Sequence, residues 1–167
     1  VKKYTLDPNH SYVLFHINHF GFSNPSGKWM TEGTLELDQD KIQNSKVNAT
    51  IHVNEIVTGV AELDKHLRSE GFFNVKKFPI ATFVSNKVDR AGKGKAIVHG
   101  TLTLHGVSKP VVLNVKLNKI GINPINNKIT AGFTAYTTLK RSDFGLTELL
   151  PGLGDEITLD IEAEGSR

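Results

Sequence analysis

The sequence contains no cysteine. That absence excludes a disulfide scaffold, thiolate-bound zinc, iron–sulfur clusters and a cysteine nucleophile. It leaves the compartment open, because a domain large enough to bury a core needs no disulfide even in an oxidising space. Methionine and tryptophan occur once each and proline six times. No apolar run approaches the roughly 18 residues of a membrane-spanning helix. Strong charge of one sign is also lacking: the net charge is +3 and the pI about 9.1. The 20 basic residues are spread along the chain, and groups such as Lys76-Lys77 or Lys93-x-Lys95 are short and carry no interleaved aromatics. A nucleic-acid surface shows a denser basic stripe, so no nucleic-acid partner is expected.

What the chain has in abundance is β-branched residues. Val, Ile and Thr number 14, 12 and 14 of 167, which favours strands over helices. With domains at roughly 100–150 residues, 1–167 reads as one domain. Apolar–polar alternation recurs over 11–19, 28–37, 46–54, 80–88, 95–105, 111–119, 129–139 and 156–163. In 46–54, for example, Val47, Ala49, Ile51 and Val53 share one face and Thr50 lies on the other. One stretch departs from this period. Around 60–70, Val60, Leu63 and Leu67 take helical spacing, and Gly71 follows as an expected C-cap. Eight short strands joined by turns predict an all-β, antiparallel sheet that removes its edges by closing into a barrel. An eight-stranded barrel is either filled by side chains or holds one small ligand, and periodicity leaves both open.

Catalytic and metal chemistry find little support. His16 and His19 point to opposite faces of a strand, His99 and His105 lie roughly 20 Å apart along another, and His10, His52 and His66 fall in different elements. No metal site is expected from ligands that do not converge. A nucleophile elbow and a phosphate-binding glycine loop are both missing, and the carboxylates Asp143, Glu148, Asp155 and Glu156 suit capping and solvation. The nine Phe residues cluster near Phe15, Phe20 and Phe22, near Phe72, Phe73, Phe78 and Phe83, and at Phe133 and Phe144. They either fill a core or line an apolar cavity.

Four segments, taken together, narrow these alternatives. They are His10-Ser11-x-Val13-x-Phe15-x-Ile17-x-His19; Leu63-Asp64-x-His66-Leu67-Arg68-Ser69-x-Gly71-Phe72-Phe73-Asn74-Val75-x-x-Phe78-Pro79-x-Ala81-x-Phe83; Gly100-Thr101-Leu102-Thr103-Leu104-His105-Gly106-Val107-x-Lys109-Pro110-Val111; and Arg141-Ser142-Asp143-Phe144-Gly145. In this order and spacing the chain resembles the YceI-like family of lipocalin-like, polyisoprenoid-binding bacterial proteins, over about 4–163. Gly71 stands where that family commonly has Asp, and Trp29 where it more often has Phe. The resemblance implies an extended eight-stranded antiparallel barrel with one short helix, and a long apolar pocket. It implies a non-enzymatic carrier of an isoprenoid quinone, polyprenyl compound or fatty amide. It also implies export to the periplasm after removal of a signal peptide, with a homodimer as one form of assembly. No cofactor beyond the bound amphiphile is expected. The residues expected around the tail are Phe15, Ile17, Phe20, Trp29, Ala49, Ile51, Phe72, Phe73, Phe83, Phe133 and Phe144. His19, Arg68, Arg141 and Asp143 are expected at the pocket mouth, near the head group. The competing readings are a filled-barrel interaction or carbohydrate-binding module and an enzyme acting on an isoprenoid.

Overall fold

A computed structural model describes residues 1–167. It contains nine strands: β1 (Lys2–Leu6), β2 (Tyr12–His19), β3 (Ser26–Leu37), β4 (Lys46–Ile51), β5 (Ala81–Gly92), β6 (Lys95–Leu104), β7 (Val107–Ile122), β8 (Ile129–Lys140) and β9 (Leu153–Ser166). The one α-helix, α1 (Ala61–Leu67), lies between β4 and β5. All pairings are antiparallel, in the order β1-β3-β2-β9-β8-β7-β6-β5-β4, and β3–β4 pairing joins the two ends into a closed barrel.

The wall is eight strands around, although nine strands build it. β2 pairs with β3 through Tyr12↔Met30 and with β9 through Tyr12↔Glu162. β1 continues in the same place, with Leu6↔Gly33 on β3 and Leu6↔Gly165 on β9. β1 and β2 therefore share one slot, interrupted by the turn at Asp7-Pro8-Asn9-His10. β1 escapes a reading by alternation because only Tyr4 and Leu6 mark its inner face. At the crossing from one partner to the other, Gly33 takes φ +156°, and a Cβ there would strike the Asn48 carbonyl of β4. No other residue type fits that approach without displacing β4.

Long strands and tight hairpins follow the local chemistry. His105-Gly106, both at positive φ, turn β6 into β7. β7 runs further than alternation indicated, from Val107 to Ile122, and β8 begins at Ile129 as expected. β4, by contrast, stops at Ile51, and Val53 sits in a short 3-10 turn (Val53–Glu55). α1 is shorter than the expected 60–70 and ends on Arg68 in the right-handed region, not on a left-handed Gly71. None of its residues is fully buried. The segments between β4 and β5 and between β8 and β9 cover one end of the barrel. There Val53, Ile56, Phe73, Phe144 and Leu146 join the main core. A smaller cluster of Tyr4, Leu37 and Ala131 closes in near the opposite end. No helix is long and apolar enough to cross a membrane.

Candidate functional site

The barrel is hollow. Its interior holds a cavity of about 200 Å³. Of the 32 residues along it, 26 are hydrophobic. Every wall strand contributes through its inner face, and small or branched side chains dominate: Val47, Ala49, Val98, Val115 and Ala135 leave the axis open. Lining positions on β6 run from Ala96 to Leu104. Eight residues of strand rise roughly 26 Å, or about 20 Å along a barrel axis at ordinary tilt. The shape is thus a long channel suited to a chain.

One end is floored by aromatic rings. Phe15 and Trp29 lie 4.7 Å apart between ring centroids, and Phe73 meets Trp29 edge-on at 5.3 Å. Two glycines make room for such rings. The Phe15 ring lies over Gly27 and the Phe83 ring over Gly100, where a Cβ would collide with each. Phe83 is consequently laid along the wall.

The residues singled out from sequence divide into three groups. Trp29, Ala49, Ile51, Phe83 and Phe133 line the cavity. Phe15, Phe73 and Phe144 are buried in the core that floors it, and Ile17 packs against that core. Phe20 is exposed beside His19, and Phe72 is half-buried on the His66 ring at 4.7 Å. Most of the phenylalanines thus build the floor and its outer surface, and the channel itself is lined by aliphatics.

The charged residues expected at the mouth gather at the floored end, but none lines the cavity. Arg68 donates from Nε to the Asn54 carbonyl at 3.0 Å and from a terminal nitrogen to that of Ile56 at 3.3 Å, which pins α1 to the preceding segment. Asp64, in α1, accepts from the Thr58 hydroxyl and from the Thr58 N–H at 2.7 Å, and the hydroxyl contact holds its pKa below the usual carboxylate value. Arg141 is buried, and its guanidinium donates to the carbonyls of Gly154 (2.8 Å), Leu146 (2.9 Å), Glu148 (3.1 Å) and Leu153 (2.8 Å). Burial lowers its pKa, opposed by Asp155. Asp155 accepts from the Ser142 N–H and hydroxyl, both at 2.8 Å, and is held below its ordinary 3.8, chiefly by the N–H. Asp143 is exposed. These groups knot the capping loops together; a headgroup site would need their donors free. The histidines lie apart: His10 beside Asp7, His16 beside Asp160, His52 beside Glu32 and His99 beside Asp89.

Sequence reasoning expected Trp29 around the tail and placed Thr31 only on a strand face. Trp29 Nε1 and Thr31 Oγ1 are buried and have no hydrogen-bond partner. Both residues line the cavity. A Thr within the otherwise apolar face of 29–37 was the one available signal.

Comparison with known proteins agrees with this architecture. The YceI-like domain model matches residues 4–165. Protein YceI of Salmonella arizonae is 42% identical over 166 residues, covering 98% of this chain and 86% of that protein. A UPF0312 protein of Pectobacterium atrosepticum is 41% identical, covering 99% and 85%. Among solved structures, BcnA of Burkholderia cenocepacia superposes with a TM-score of 0.85 at 22% identity, covering 95% of this chain and 98% of that one. A polyisoprenoid-binding domain from Saccharophagus degradans superposes with a TM-score of 0.73 at 16% identity, covering 98% and 97%. With a family model spanning nearly the whole sequence and relatives above 40% identity along almost its full length, the chain belongs to the YceI-like family.

Proposed function

We propose that this protein is a non-enzymatic carrier that encloses the tail of a long-chain amphiphile, such as an isoprenoid quinone, a polyprenyl compound or a fatty amide, within its barrel. The observation that carries the reading is the long, apolar, unfilled channel. Burial of each methylene is worth about 0.8 kcal/mol, so ten give a gross gain of about 8 kcal/mol before ordering costs are subtracted. The description of the Saccharophagus neighbour as polyisoprenoid-binding supports the same ligand class. The hollow interior counts against a filled-barrel module. An enzymatic role finds little support in a wall where Lys46 and Glu162 are the only charged residues. We place the carrier in the periplasm, on the family likeness.

Organic extraction of purified protein, followed by mass spectrometry, tests the reading. A stoichiometric isoprenoid or other long-chain amphiphile is expected, as is uptake of ubiquinone by the delipidated protein. Repeated empty extracts together with no quinone uptake would remove the carrier reading.

A further inference from the structure

The basic residues are spread along the sequence, but the fold gathers them. The strand ends opposite the floor bring together residues 1–3, 36–46, 87–97, 116–130 and 164–167. These segments hold twelve lysines and arginines against five aspartates and glutamates, a net +7. The rest of the chain holds eight against twelve, a net −4. An overall charge of only +3 thus conceals a strong polarity from one end of the barrel to the other. All twelve basic residues are exposed, and only Lys87 is ion-paired, with Asp89 at 3.6 Å.

Apolar side chains stand out in water at the same end. Ile122, at the end of β7, is 63% exposed, and Ile125, in the loop to β8, is 88% exposed. That loop is tied by its own hydrogen bonds. The Asn123 side chain accepts from the Ile125 N–H at 3.0 Å, and the Asn123 carbonyl accepts from the Asn127 N–H at 2.8 Å. The Asn126 side chain accepts from the Lys128 N–H at 3.0 Å. Lys119 and Lys128 flank the tip along the chain. The channel lining also reaches this end, at Leu37, Ile42, Lys46, Val88 and Ala96, whereas the other end is floored.

Taking the carrier reading as its premise, we propose that this end is a docking surface for an anionic phospholipid bilayer, with Ile122 and Ile125 entering the acyl boundary and the basic residues lying over the head groups. An amphiphile with a long tail resides in a bilayer, and the end that is not floored is the one that meets it there. Unpaired lysines beside projecting isoleucines suit a surface that offers anionic head groups with hydrocarbon beneath them. A soluble polyanion would engage the charge and leave the isoleucines in water. The floored end exposes apolar side chains too, Phe22 at 86% among them. Its capping segments, 51–80 and 140–156, hold six basic and eight acidic residues, so an anionic surface does not attract it.

Delipidated protein is sedimented with vesicles of phosphatidylcholine alone, and with vesicles of equal parts phosphatidylcholine and phosphatidylglycerol. It should sediment with the anionic vesicles at low salt, stay in solution with the neutral ones, and leave the anionic ones as salt rises. Lys119→Gln and Lys128→Gln should each weaken binding about fivefold, the scale of one lysine near an anionic leaflet. Ile125→Ser should weaken it about tenfold, through loss of one inserted apolar side chain. Phe22→Ser, at the floored end, should leave it unchanged. All four positions are exposed, so the melting temperatures should not move. Equal sedimentation with both kinds of vesicle, or loss of binding on Phe22→Ser in place of the other three, would overturn the docking surface. Full binding by Ile125→Ser would overturn it as well, leaving a site for any polyanion. Organic extraction of the same purified protein separates this from the carrier reading. Absence of vesicle binding in a protein that yields an amphiphile and takes up ubiquinone overturns the docking surface alone. Vesicle binding by a protein with empty extracts and no quinone uptake overturns the carrier reading alone.

Discussion

Arg141 illustrates why a charged side chain beside a pocket need not serve its ligand. Its planar fork meets four carbonyls in the stretch from Leu146 to Gly154, a geometry that an ammonium cannot reproduce. Arg141→Lys should therefore cost about 2 kcal/mol and lower Tm by about 4–8 °C in a chain of this size. Asp143→Asn, at an exposed neighbour, should stay within about 0.5 kcal/mol. Thermal unfolding of both variants checks the contrast. Asp155 makes a pH-dependent contribution to the same knot. Its pKa is depressed in the folded state, so its stabilisation is present above the ordinary value of 3.8 and is lost as pH falls through the lower folded value. Asp155→Asn should lower Tm at neutral pH, and the gap to the unsubstituted protein should close as pH falls below the ordinary 3.8 and through the lower folded value. A gap that stays constant with pH would show that the carboxylate charge is not what matters.

At the scale of the element, β4 offers the plainest test of a hollow wall. Ala49 lines the channel and Thr50 does not. A phenylalanine placed in a filled core overpacks it at about 1–3 kcal/mol. In an empty channel the ring finds room and competes with the tail. Ala49→Phe should keep the Tm of delipidated protein within a few degrees and weaken lipid uptake, while Thr50→Phe leaves uptake unchanged. Equal uptake by both would mean that β4 does not touch the ligand.

The faces of the strands were legible because a period of two is imposed locally by the pleat: Val47, Ala49 and Ile51 on β4, and Val111, Leu113 and Val115 on β7, all line the channel as alternation indicates. β1 was not legible, since five residues with two apolar positions give too little pattern, and its place is set by pairing with Gly33 and Gly165 far along the chain. The site was harder to see. Aromatic content drew attention to Phe15, Phe73 and Phe144, whose destination is the floor, while the channel belongs to aliphatics that look like any core residue. Arg68 and Arg141 resembled ligand contacts because their backbone partners are a product of loop conformation. Thr31 stands out only once its hydroxyl is found without a partner.

For the whole molecule, a channel about 20 Å long and apolar along its length makes chain length the main determinant of affinity. Ligands with one head and successive isoprene units should bind more tightly until the channel is full. Raising salt should change little, because apolar burial is not screened. Affinity that follows head charge and falls steeply with salt would move the site to the protein surface.

The shared slot of β1 and β2 has a kinetic consequence. The Ser11–Glu164 hydrogen bonds join positions 153 residues apart, and β2 finds its second neighbour only in β9. Until the last segment of the chain is free to pair, the other eight strands form an open trough, seven positions around, whose apolar lumen and two unsatisfied edges face solvent. Such distant pairings place folding in the slow, millisecond-to-second regime of β-rich topologies. Over that interval the trough is sticky to other chains, as unpaired edges are. It is also open along its whole length to any apolar molecule present, so the chain acquires its container and can acquire its cargo in the same closing step.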